Sequence, residues 1–299
     1  MRWERLRKSQ NVEDRRGQRA SRRPAAAGGG FGLILLLILA LVFKVNPLEL
    51  LGQGGGGLSQ QQQQQAPQPT SAESDAMADY VSRVLGSTED EWTQIFAKYN
   101  LSYRPAKLIN YSGTTRMRSG GVAQAATGPF YLPTEETIYL DTQFFSQLRQ
   151  MSRDRTRDYD FAPAYVIAHE VGHHVQKLLG YTNKVHGQRG RVSKSEYNQL
   201  SVRLELQADF LAGVWAHHAN KRLMTHEGVS LLEDGDIEEA MRAAQAIGDD
   251  ALQRQQTGRV RPDSFTHGTS EQRLRWFTKG LKTGDPNQGD TFKVPYSRL

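Results

Sequence analysis

The segment "YVIAHEVGHHVQKLLG", residues 165–180, holds HEVGH at 169–173, followed at once by a further histidine at 174. In an α-helix residues i and i+4 share a face, so His169 and His173 project together and can bind one zinc ion from a single rigid element. Glu170 sits about 100° round the same helix, where it can take a proton from a water beside that ion and pass it to a leaving amine. The flanks agree with a helix over roughly 163–179: Asp160 precedes it, Pro163 suits its first turn and Gly180 its stop. His174 faces elsewhere and reads as a polar contact. Two imidazoles are half a site, so a third ligand has to come from further along.

A metzincin would continue the motif with glycine and a third histidine, but Gln176 and Leu179 occupy those places, which excludes that arrangement. Downstream, "LELQAD" at 204–209 offers Glu205, 32 residues beyond His173, and Asp209 one turn later. Glu205 can close a tripod with a carboxylate oxygen and leave a fourth position for water. Asp209, on the same face, can hold the free ring N–H of a ligand histidine. Taken alone Glu205 is an ordinary solvated helix residue; the motif upstream gives it weight. His217 and His218 are rival third ligands, and His186, in a Gly/Lys/Arg loop, is a weaker one.

Working outward, Ser193 and Glu196 in "SKSE" form a capping box that opens a second helix, running to about 220. "DIEEAMRAAQAI" (236–247) is a third, stopped by Gly248, and Thr269 with Gln272 opens a fourth. Upstream, "ADYVSRVLGSTEDEWTQIFAKYN" reads as two helical stretches broken at Gly86, and "GPFYLPTEETIYLD" (128–141) as two short strands about a turn. The class expected is α+β, mainly helical, with a small β-hairpin. The strand 137–141 reads as a simple core strand, with a sheet edge onto which an extended substrate adds as the alternative.

The chain has 299 residues, no cysteine and a net charge of +6. Residues 1–23 carry nine Lys/Arg against three acidic residues, which accounts for the whole excess; the rest of the chain is neutral, so a nucleic-acid partner is not expected. Between Pro24 and Lys44 lie 19 uncharged residues, reaching about 28 Å as a helix, close to a hydrocarbon core. They read as an uncleaved signal anchor, with a cleaved signal or a buried helix as alternatives. The division expected is a basic cytoplasmic tail (1–24), a transmembrane anchor (25–45), a flexible Gly/Gln-rich linker (46–74) and a domain (75–299) outside the cytoplasm, periplasmic or at the cell surface.

Four blocks, "FAPAYVIAHEVGHHVQKLLG", "LSVRLELQADFLAGVWAHH", "AAQAIGDDALQ" and "PDSFTHGTSEQRLRWFTKG", resemble the bacterial putative neutral zinc metallopeptidase family, the YpfJ-like proteins. The likeness covers roughly 76–292, with the "VEDRRG" segment and the apolar stretch after it. It implies a membrane-tethered, zincin-like peptidase of the gluzincin type acting on peptides or proteins. Relatives commonly carry cysteines where this chain has Gly120, Leu132, Phe210 and Gly289, so disulfide staples are lost here and packing has to serve instead. His267 and Arg273, in "HGTSEQR", are similar to a pair in HtpX-like and CAAX-prenyl peptidases, which implies stabilisation of the oxyanion. A helix-start histidine and a surface arginine are the bland alternative.

The expectation is a zinc peptidase binding one ion through His169, His173 and Glu205, with Glu170 as general base. A zinc amidase acting on cell-wall peptides and a non-catalytic, metal-stabilised scaffold are the rival functions.

Overall fold

A computed structural model describes residues 1–17, 71–154, 159–257 and 259–299. In chain order it contains β1 (Val12–Asp14), α1 (Ser71–Lys98), β2 (Lys107–Tyr111), β3 (Thr114–Arg116), β4 (Val122–Gln124), β5 (Phe130–Leu132) and β6 (Thr137–Asp141). The helices α2 (Gln143–Met151), α3 (Phe161–Leu178), α4 (Tyr181–His186), α5 (Lys194–Glu227), α6 (Asp236–Ala246), α7 (Asp249–Thr257) and α8 (Ser270–Thr283) follow. The expected mainly helical α+β class is observed.

Four strands form a sheet in the order β1-β2-β6-β5, with β1, β2 and β6 parallel and β5 antiparallel to β6. The period of two along the strands divides them between two cores. Leu108, Ile138, Leu140 and Tyr131 join the main core with the helices, while Ile109, Tyr111, Tyr139 and Phe130 form a second cluster with Ala123 of β4. The expected hairpin is present, paired Tyr131 to Ile138. Its second strand is not an edge, however: β6 is buried between β2 and β5, and β5 takes the outer position.

Helix α5 is the spine, packed against α3 on one side and α8 on another. Both capping boxes form as expected, Ser193 with Glu196 and Thr269 with Gln272. Glycines set how closely these helices approach. A Cβ at Gly172 would lie 2.9 Å from the Ala208 oxygen, and one at Gly280 would lie 2.0 Å from that of Phe210. Contact at backbone distance is what brings the side chains of α3 and α5 into one cluster.

Two expectations about the first hundred residues change. Gly86 does not break a helix; α1 runs through it without interruption. A Cβ there would fall 2.2 Å from the Arg7 oxygen, so the glycine is a notch against which the N-terminal segment lies. That segment is not a separate tail over the residues described. Ser9 N–H donates to Ser82 O (2.9 Å), Arg7 pairs with Glu89 and Asp90 (3.0 and 2.7 Å), and β1 pairs with β2. The ammonium group of Met1 is buried between Asp160 and Asp236, at 2.6 and 3.2 Å. The anchor at 25–45 and most of the linker lie outside the described residues, and no helix among those described is long and apolar enough to cross a membrane. Residues 1–17 are thus built into the domain through strand pairing and ion pairs.

Candidate metal centre

Helix α3 starts at Phe161 and buries almost every side chain through Gln176; His169 is buried, while His173 is partly open to solvent. Across from it, α5 presents Glu205 and Asp209. His169 Nε2 lies 3.2 Å from Glu205 Oε2 and His173 Nε2 lies 3.5 Å from Glu205 Oε1. One donor atom from each of these three residues falls within 4.8 Å of the others, a spacing that suits a single cation.

Each imidazole is fixed from behind. His169 Nδ1 donates to Asp209 Oδ1 (2.8 Å), and His173 Nδ1 donates to Gln176 Oε1 (2.9 Å). Both rings thereby present Nε2 to the cluster, the tautomer that a metal ligand needs. Asp209 also accepts from Tyr165, and Gln176 is itself held by Leu204 O and Gln207. Sequence reasoning assigned Asp209 but missed Gln176; its place three residues after His173, on the same face, was the available signal.

The electrostatics favour a positive charge at the centre. Burial opposes protonation of His169, but Asp209 and Glu205 outweigh it and push the ring up to about 10. Burial likewise opposes ionisation of Glu205 and Asp209. Nearby His173, His267 and His169 nevertheless hold Glu205 well below the usual range, and Arg273 with His169 brings Asp209 down to about 2. Two imidazoles and a carboxylate, with their outer nitrogens already satisfied, fit the borderline chemistry of zinc.

Glu170 is 8% exposed and follows His169 on α3. Arg273, expected beside an oxyanion, meets a carboxylate of the protein itself. It is 3% exposed and forks onto Asp209, Nε to Oδ2 and Nη2 to Oδ1, both at 2.9 Å. A planar guanidinium meets a buried carboxylate best in this bidentate way, so Arg273 supports Asp209 from behind. His267 lies in the loop before α8, with Nδ1 3.3 Å from Asp249 Oδ1, and its charge acts on Glu205.

The rival ligands are engaged elsewhere. His217 donates to Leu281 O and His218 to Gly284 O, capping the end of α8. His186 ends α4, outside the His169–His173–Glu205 group. His174 is fully buried, with Nε2 donating to Arg104 O and Nδ1 accepting from the Tyr131 hydroxyl at 2.9 Å. It therefore ties the edge strand β5 to the back of the histidine-bearing helix.

A sequence model of the family described as "Putative neutral zinc metallopeptidase" matches residues 1–292. "Uncharacterized protein YpfJ" of Escherichia coli (strain K12) is 47% identical over 297 residues, 98% of this chain and 99% of that protein. "Uncharacterized protein Mb2605" of Mycobacterium bovis is 46% identical over 178 residues, 58% of each chain. No solved structure matches. The family's description carries zinc as the metal and peptides or proteins as substrates. With nearly the whole length matched, the chain belongs to the family of putative neutral zinc metallopeptidases.

Proposed function

We propose that this chain is a zinc-dependent peptidase in which Glu170 is the general base for attack of water on a peptide carbonyl. The observation that carries the reading is the convergence of His169, His173 and Glu205, with the buried Glu170 on the same turn. A zinc ion held by the three would supply Lewis acidity towards water and the carbonyl. Glu170 takes the proton of the attacking water and returns it to the leaving amine. Asp209 and Gln176 keep both imidazoles in the required tautomer, and Arg273 keeps Asp209 ionised. His267 donates to the oxygen that gains charge as the carbonyl carbon becomes tetrahedral.

Substrate positioning falls to β5 rather than β6. An extended peptide can add to the outer edge of β5, which no strand among the described residues pairs, and which the bond between Tyr131 and His174 ties to α3. We place both flanks of residues 25–45 on one side of any bilayer they touch, since residues 1–17 and 71–299 pack together.

The test is Glu170→Gln in the full-length protein, read with a library of quenched fluorescent peptides. Hydrolysis is expected to fall by about 10³-fold while zinc per chain stays the same. Turnover at the wild-type rate in that variant would overturn the reading.

A further inference from the structure

The "IGDD" motif, 247–250, has no part in the chemistry so far, yet its two aspartates strap the loop that carries His267. Asp249 is buried, and its Oδ2 accepts from three successive backbone N–H groups: Thr266 (2.7 Å), His267 (2.6 Å) and Gly268 (3.1 Å). Gly268 has φ +87°, which turns its N–H towards the carboxylate, and the Asp249 N–H donates back to Gly268 O at 3.0 Å. The other oxygen, Oδ1, lies 3.3 Å from His267 Nδ1, which also has Thr266 Oγ1 at 3.1 Å. Asp250 holds Ser270, two residues on from Gly268, accepting from its N and Oγ at 2.8 and 2.9 Å, without touching His267. Gly248 lets the start of α7 press against this loop, since a Cβ there would lie 2.5 Å from Ser270 N.

One buried carboxylate thus fixes both the backbone of residues 266–268 and the Nδ1 side of the ring. A loop held by a single polar contact would let the imidazole rotate; four contacts to one residue do not. His267, the side chain assigned to the substrate's oxygen, lies on a loop rather than a helix, so its placement depends on this strap.

We propose that Asp249 is a positioning residue for the reaction, holding the Nδ1 side of His267 so that the opposite edge of the ring faces the His169–His173–Glu205 cluster. This inference rests on the peptidase reading above, but it has a readout that does not need turnover.

The experiment uses full-length protein labelled with ¹⁵N in its histidine rings. His267→Gln identifies the His267 signal by its loss. Asp249→Asn keeps an acceptor for the backbone N–H groups and is expected to move that signal while zinc content stays unchanged. Asp250→Asn, the control for loop bonding, is expected to leave it in place. In Thr266→Val, where Asp249 remains beside Nδ1, the ring proton signal is expected to persist even if Asp249→Asn does not fold. With the peptide library, Asp249→Asn should lower kcat by about 10- to 100-fold with KM within about twofold. In a His267→Gln background it should lower kcat no further.

A His267 signal that is the same in Asp249→Asn as in wild type, or one lost in Thr266→Val, overturns the proposal. So does an equal fall in kcat with and without His267, which would mark a general structural role. Wild-type turnover by Glu170→Gln would overturn the peptidase reading alone, because the ring signals still decide whether Asp249 holds His267.

Discussion

Glu205 is the residue on which the centre turns. It faces both Nε2 atoms, and burial would make its charge costly without the imidazoles and a cation to answer it. Glu205→Ala in the full-length chain should therefore lower zinc affinity by at least about 10-fold, measured by competition with a chromogenic chelator. Full zinc retention would show that the tripod is wrongly assigned. This residue was legible because H-E-x-x-H demands a third ligand and only a few downstream groups could supply it. The true partner of Arg273 was not legible, since a bidentate contact over 64 residues leaves no local pattern. A Cβ at 289 would lie 2.3 Å from the Phe210 ring, so one large and one absent side chain fill that place together.

Among the elements, α3 depends on contacts at its start and at its middle. At its start Glu239 accepts from Ala162 N, close to Asp160 and Asp236. Burial, despite that backbone bond and with help from the neighbouring carboxylates, pushes Glu239 up to about 7 from its ordinary 4.5. The folded state thus prefers the protonated form. Its contribution is complete below about 4.5 and is lost as pH rises through about 7. Glu239→Gln should flatten the fall in urea midpoint across that window; an unchanged slope would remove Glu239 as the cause. Midway along, Gly172 sits against Ala208. Gly172→Ala would force the helices apart by several tenths of an ångström, so zinc affinity should fall while helix content by circular dichroism stays near wild type. Wild-type zinc affinity there would show that the close approach does not set the site.

The helices α3, α5, α6 and α8 were readable from caps and periodicity, because those signals are local. The strands β1 and β2 were not. β1 is three residues, "VED", with no alternation to detect, and its partner lies some hundred residues away in sequence. The glycine at 86 misled for a related reason. Inside a helix it costs stability and suggests a stop, yet here it makes room for distant backbone.

At the scale of the whole molecule, the N-terminal segment is part of the domain's outer sheet and its ionic core. A chain beginning at Ser71 would uncover β2, the notch at Gly86 and the carboxylates around Met1. It should melt several degrees lower than the full-length protein by scanning calorimetry; an equal melting temperature would show that the docking contributes nothing. The same feature has a further consequence. Chain scission between residues 17 and 71 would not by itself remove residues 1–17, because strand pairing and ion pairs, not covalent linkage alone, hold them in place. The two pieces form a complementation pair, and a synthetic peptide of residues 1–17 added to the 71–299 fragment should titrate its stability back in a saturable way.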